Sequence, residues 1–286
     1  MHATCLLTDS TACFTRMSYP GQEHVFMIRW GLQLDGLYIE DSKDSNLLDS
    51  YFTGYPQSTL FATAPSVEAF QNIYQVLGKT YQHIVVIVVS SQLSCAHENA
   101  IQAARNQKSA ATIQVIDSQS CAVGTGFLVH AAAEALQRGL PVAEITRTIR
   151  GLTRQIYAIF CLPDLTYLAR AGQLDPAQAV VGEMLGILPL FILENGRLVH
   201  TNKIRSPRHM TDIMFEFIAE FEHLRLLSLV QGVPYFEQES RNIRERIQQN
   251  NRSIPFHEHS LPPSLAAILG PRAIGLMAIE NAPKGG

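Results

Sequence analysis

The run His83-Ile84-Val85-Val86-Ile87-Val88-Val89 is apolar and β-branched after its first residue, with no polar alternation. A strand with one wet face alternates, so a run of this kind reads as a parallel strand covered on both faces, which demands helices above and below it. The chain continues as Ser90-Ser91-Gln92-Leu93-Ser94-Cys95-Ala96, and apolar positions at Ala96, Ala100, Ile101, Ala103 and Ala104 predict a helix beginning near Ser94, with its side chain as cap. Open α/β sheets bind ligands beyond the carboxyl ends of their strands, and a helix N-terminus offers unpaired N–H groups to an anion. The loop reads either as an anion receptor or as a plain strand-to-helix turn with a serine cap, and the segment alone leaves both open.

The neighbouring segments repeat the pattern. Thr4 to Thr8 reads as a first strand left by Asp9-Ser10-Thr11, and Ile113 to Ile116 as another left by Asp117-Ser118. Pro65 opens a helix whose stripe is Val67, Phe70, Ile73 and Leu77, ending at Gly78. Val123 to Arg138 is a helix stopped by Gly139, Pro141 starts the next, and Gln155 to Phe160 is one more strand. Leu32-Gln33-Leu34 and Leu37-Tyr38-Ile39 flank Asp35-Gly36, a type I′ hairpin signal, expected as an edge decoration.

Beyond residue 160 the grammar changes. Asn195-Gly196 joins two apolar runs as an antiparallel hairpin, Ser206-Pro207 caps a helix carrying Ile213, Met214, Phe217, Ile218 and Phe221, and strands are expected at Leu226 to Val230 and Ala273 to Ile279 around a polar helix, Phe236 to Gln249. The fold class is therefore α/β, with a mostly parallel sheet in an N-terminal domain, expected over 1–165, and a smaller α+β domain over 166–286.

At 286 residues the chain has room for two such domains, and 47% hydrophobic against 16% charged residues suits buried parallel strands. A net charge of −3 gives no electrostatic reason to expect nucleic acid. No apolar stretch approaches the ~20 residues of a membrane span, and Met1-His2-Ala3-Thr4-Cys5 lacks the pattern of a secretory leader, so a cytoplasmic protein without stable membrane insertion is expected. Cys5, Cys13, Cys95, Cys121 and Cys161 show no C-x-x-C spacing and are expected as reduced thiols.

Signatures of phosphate loops, nucleophile elbows and zinc proteases are absent. Gly124-Thr125-Gly126 sits at a helix start and reads as close packing, and His257-Glu258-His259 lacks a third ligand and reads as a solvated loop, so neither a metal nor a cofactor is expected. Asp9, Asp117 and Asp164 sit where a general base would, yet such residues more commonly bond their own turns. Cys95 at a helix start is a candidate nucleophile without an evident histidine partner. What survives is a set of hydroxyl-rich loops at one sheet edge, better suited to holding an acidic head group than to transforming it.

In this order the loops resemble the DegV family of bacterial fatty-acid-binding proteins. Thr8-Asp9-Ser10-Thr11 resembles the family's D-S-T opening, Ala62-Thr63-Ala64-Pro65-Ser66 its T-S-Q-P-S, and Ser90 to Ala96 its S-S-G-L-S-G-T. Val115-Ile116-Asp117-Ser118 with Gly124 and Gly126, the stretch Asp164 to Leu174, and Gly270-Pro271-Arg272-Ala273 with Gly275 are similar to its later motifs. The resemblance implies one long-chain fatty acid in a buried tunnel, held without catalysis, with Ser94 and the Cys95 amide first for the carboxylate, then Thr63, Ser91 and Ser10. Burying an acyl chain of about sixteen carbons gains on the order of ten kcal/mol at ~0.8 per CH₂, less the costs of binding.

Two departures qualify this. Gln173 stands where the family has arginine and Ile268 where it has histidine, residues that in the better-known members lie near the head group and help present it to a fatty-acid kinase. Their loss argues against hand-over to such a kinase here. The alternatives are a diverged acyl- or phosphoryl-transfer enzyme using Ser94 or Cys95, and a regulatory interaction protein with an empty pocket. Acyl length and oligomeric state are not encoded in these motifs.

Overall fold

The computed structural model describes residues 2–39, 41, 59–107, 109–233, 236–250 and 253–281. In chain order the first half runs β1 (His2–Asp9), β2 (Val25–Ile28), β3 (Gly31–Leu34), β4 (Leu37–Ile39), β5 (Leu60–Thr63), α1 (Val67–Leu77), β6 (Tyr81–Val88), α2 (Ala96–Asn106), β7 (Thr112–Asp117), α3 (Ala122–Gln137) and α4 (Val142–Thr153). The second half runs β8 (Ile156–Cys161), α5 (Leu165–Arg170), α6 (Pro176–Met184), β9 (Leu188–Glu194), β10 (Arg197–Ile204), α7 (Pro207–Ala219), β11 (Leu224–Gln231), α8 (Glu237–Asn250), β12 (Phe256–Ser260), α9 (Pro263–Leu269) and β13 (Ile274–Glu280).

The expected parallel sheet is present with order β2-β1-β6-β7, every pair parallel. Its β-branched strand is covered twice over, as the lack of alternation requires. Cys5, Leu7, Ile84, Val86 and Val88 pack on Phe70 and Tyr74 of α1 and Ala100 and Ala103 of α2. Leu6, Val85 and Ile87 on the opposite face join a larger core with Phe127, Leu128 and Val129 of α3. That core also contains Phe160, Phe191 and Met277 of a second sheet, so α3 lies between two sheets and its first two turns are buried all round.

The second sheet has order β10-β9-β8-β13-β11-β12 and is antiparallel except between β11 and β12. The strand expected over Gln155 to Phe160 is present as β8, but it pairs with β13 and β9 here and not with the parallel sheet. A short local pattern shows that a strand exists, not which neighbours hydrogen-bond to it. The outer face of this sheet is closed by α7 and α8 through Met214, Phe217, Ile243 and Ile247.

Three further expectations change. The Asp35-Gly36 hairpin forms, with both residues at positive φ, but it pairs through β3 with β5 as a separate three-stranded sheet and does not extend the parallel one. His257-Glu258-His259 is an edge strand, β12, in which Glu258 takes a bidentate pair from Arg244 at 2.5 and 2.6 Å. Ser206 flanks α7 but makes no side-chain cap bond.

Gly124 and Gly126 are packing glycines, as their position implied. A Cβ on Gly126 would stand 1.8 Å from the Cys13 carbonyl oxygen, a backbone atom that cannot swing away. Gly126→Ala is expected to cost about 3 kcal/mol in urea unfolding. Gly151→Ala, in α4 with nothing within 4 Å, should be neutral or stabilising by up to about 1 kcal/mol. Equal effects at the two positions would contradict the packing argument.

Candidate functional site

The loop after β6 is fixed from three directions. Ser90 is fully buried: its amide donates to the Ser120 carbonyl at 2.9 Å and its hydroxyl to the Gly196 carbonyl at 2.8 Å, at the tip of the β9–β10 hairpin. A Cβ on Gly196 would stand 2.2 Å from Ser90 Oγ, so the glycine that permits the turn also permits the docking. Ser91 donates its amide and its hydroxyl to Asp117 at 3.2 and 2.5 Å, and the Gln92 carbonyl accepts from Gln173 Nε2 at 2.8 Å.

At the free end of this loop Ser94 Oγ accepts the Ala96 N–H at 3.1 Å. The helix α2 therefore starts two residues later than expected, with Cys95 at the cap position and no side-chain cap from it. A hydroxyl whose oxygen already accepts still has its hydrogen to give. No acceptor among the described residues takes that hydrogen or the Cys95 N–H. Two unused donors thus sit together at the N-terminus of α2, where the helix dipole also favours negative charge.

The remaining hydroxyls are committed otherwise. The hydrogen of Ser91 goes to Asp117, so this side chain has no donor left for a carboxylate. Ser10 turns toward β2: its oxygen accepts the Trp30 N–H at 3.1 Å and its hydroxyl donates to Asp41. Burial pushes the Asp41 carboxyl above its usual range, against the opposing bonds of its partners and the charge of Arg29. Ser10 lines a cleft of about 670 Å³ with Tyr19, Arg29 and His259, and this cleft includes neither Ser94 nor Cys95. Thr63 ends β5 and is exposed, on the strand face opposite Ala62, so alternation prevents it from taking over the place of the hydroxyl that Ala62 lacks.

Gln173 reaches the loop, as its motif position implied, but spends its amide on the Gln92 carbonyl. Ile268 is 5% exposed and belongs to the main core with Leu93 and Ala96, where an alkyl group is at home. Sequence reasoning missed Asn99, whose amide donates to the Pro65 carbonyl at 2.9 Å and to Cys95 Sγ at 3.7 Å, tying the 62–66 segment to the start of α2. Its spacing of four from Cys95 on one helix was the available signal.

The three aspartates at strand ends act on structure. Asp9 accepts from Thr11 and from the Val89 N–H at 3.0 Å, Asp117 from Ser91 and Gln119, and Asp164 from the Arg272 N–H at 3.2 Å and Nε at 2.7 Å. Among the described residues, neither Ser94 nor Cys95 donates a hydrogen bond to a histidine or carboxylate. No group of three metal-ligating side chains occurs among the described residues, and no helix there is long and apolar enough to cross a membrane.

This is an α/β protein with an open parallel sheet and unused hydrogen-bond donors in a loop at its strand ends. A family profile described as "Uncharacterised protein, DegV family" matches residues 4–281, and the chain belongs to that family. A DegV domain-containing protein of Staphylococcus aureus is 24% identical over 283 residues, covering 96% of this chain and 98% of its own. The crystal structure of a fatty-acid-binding DegV family protein from Streptococcus agalactiae superposes with a TM-score of 0.81 at 19% identity, covering 99% of this chain and 100% of that one. The Streptococcus pneumoniae Fatty Acid Kinase (Fak) B3 protein, loaded with linoleic acid, gives a TM-score of 0.81 at 15% identity over 98% of this chain and 100% of that one.

Asp117→Ala leaves the Ser91 and Gln119 amides without their acceptor, and a loss of about 1–2 kcal/mol is expected, with faster amide hydrogen exchange at both positions. Unchanged exchange at Ser91 would show that Asp117 does not hold the loop.

Proposed function

We propose that this chain binds one long-chain fatty acid, with the carboxylate received by the Ser94 hydroxyl and the Cys95 N–H and the acyl chain buried between the two sheets. The observation that carries the reading is the pair of unused donors at the start of α2, in a loop whose Ser90 and Ser91 hydroxyls are both engaged. The fatty acids in the solved relatives support the ligand class. A carboxylate accepts only, so it takes both donors without a proton transfer, each such charge-assisted bond contributing about 1.5–3 kcal/mol.

The reading is of a carrier without chemistry of its own. Among the described residues Ser94 and Cys95 have no hydrogen-bonded base to activate them, which weighs against acyl or phosphoryl transfer. Gln173 and Ile268 offer a phosphoryl group no cation, which weighs against hand-over to a fatty-acid kinase. In this account the division of the chain falls where sheet membership changes, before β8: the first part carries the receiving loops and the second closes over them. A cytoplasmic location accords with this role.

Titration of delipidated protein with hexadecanoate, followed by the fluorescence of its single tryptophan or by calorimetry, tests the assignment. Ser94→Ala is expected to weaken binding by about tenfold or more, while Ser91→Ala and Ser10→Ala change it by less than about threefold. No uptake of fatty acid, or equal losses in all three variants, would overturn it.

A further inference from the structure

Among the described residues the parallel sheet ends at β2, paired with β1 alone, and the antiparallel sheet ends at β12, paired with β11 alone. Both end strands border the cleft that holds Ser10. Val25, Phe26 and Met27 line it from β2, and Glu258, His259 and Ser260 from β12. Consecutive strand residues point their side chains to opposite faces, so a cleft that meets three in a row on each strand follows the two backbone edges.

The hydrogen bonds fix which backbone groups look into it, because successive residues of a strand turn their N–H and C=O pairs to opposite sides. The Ile28 carbonyl accepts the Ser10 N–H at 3.1 Å, so Ile28 and Phe26 turn toward β1 and Met27 turns outward. On β12 the Pro255 carbonyl accepts the Leu227 N–H, and the Leu261 N–H donates to the Gln231 carbonyl. The odd-numbered residues therefore face β11, and Glu258 and Ser260 face out. The Cys13 thiol joins the two walls, donating to the Ser260 carbonyl at 4.0 Å. Met27 and Glu258 each keep an N–H and a C=O, and Ser260 an N–H, that no described residue takes.

The acids of the cleft are already engaged. Asp41 accepts the Ser10 hydroxyl and lies beside Arg29, and Glu258 is held by Arg244 at 2.5 and 2.6 Å. Arg16 also lines the cleft, is exposed, and forms no hydrogen bond or ion pair among the described residues. Next to it Met17 is 97% exposed. Open strand edges are commonly blunted by a proline, a charge or a bulge, and Val25–Ile28 has none of these.

We propose that this cleft receives an extended, acidic peptide segment of a partner protein, which bonds the outward groups of Met27, Glu258 and Ser260 as an added strand and sets a carboxylate on Arg16. A lipid head group or a free carboxylate would satisfy Arg16 and the N–H groups, but it brings no donor for the Met27 and Glu258 carbonyls. A peptide backbone brings donors and acceptors at strand spacing. The cleft includes neither Ser94 nor Cys95, so the proposal is independent of the fatty-acid site.

The test is titration of the full chain with an acetylated, amidated peptide of alternating valine and glutamate, six residues long, and with its valine–lysine counterpart, read by amide hydrogen exchange. The acidic peptide is expected to slow exchange at Met27, Glu258 and Ser260 and to bind about fivefold or more tighter than the basic one at low salt. Arg16→Gln should lose that preference. Met27→Pro removes an outward N–H that the ladder to β1 does not use, and should weaken the acidic peptide by about threefold to tenfold. If Met27→Pro does not fold, the exposed Arg16→Gln decides alone. No slowing at these amides, slowing at the outer edge of β7 or β10 instead, or equal affinity for the two peptides overturns the proposal. So does a dimer in sedimentation with the same amides protected before peptide is added, which would make a second copy of this chain the occupant.

Discussion

The fully buried carboxylate of Asp9 is the interaction on which the upper edge of the parallel sheet depends. It stands at the end of β1 and accepts from the Thr11 N–H at 3.0 Å and from the Val89 N–H at 3.0 Å, the latter across the strand boundary where the Ser90–Cys95 loop begins. Burial pushes its pKa up, and the hydrogen bonds from Thr11 and Val89 oppose that shift. A group taken out of water at this cost is stable only while its donors remain in place, so the two loops are tied to one geometry. Asp117 repeats the device one strand further along, and Asp164 ties the second sheet's loops in the same way.

Because the aspartates and Ser90 settle the backbone, the loop divides its polar groups into those that build it and those left over. Ser90 and Ser91 spend their hydrogens on Gly196 and Asp117, and the two sheets meet at the first of these bonds. Ser94 and the Cys95 amide are what the construction does not use. Ser94 is half-buried and Cys95 exposed, so a donor pair left open at a helix N-terminus is within reach of a ligand. The continuous apolar core that runs from Leu6 and Phe127 to Phe160 and Met277 places hydrocarbon directly beneath.

Much of this was legible in the residues, and the failures share a cause. Ile84 to Val89 announced a doubly covered strand, and the Asp-Gly and Asn-Gly pairs announced their hairpins, because period and turn chemistry are local properties. The loop from Ser90 to Ala96 was found for the same reason. Sheet membership of β8, the pairing of β3 with β5, and the contact of Gly196 with Ser90 are long-range, and no local pattern encodes them. Among the candidates, Ser91, Ser10 and Thr63 shared a hydroxyl with Ser94 but not its situation: where each hydrogen points depends on Asp117, on Asp41 and on strand alternation, all set by the tertiary structure.

The position of the head group separates a receiving site at the start of α2 from one at Ser10 and Asp41. The direct measurement is a crystal structure of the protein with hexadecanoic acid bound. The carboxylate is predicted within hydrogen-bond distance of Ser94 Oγ and the Cys95 nitrogen, at about 2.7–3.0 Å, with the acyl chain running between the sheets. A carboxylate seated instead at Ser10 and Asp41, or a core filled by side chains with no lipid between the sheets, would contradict it.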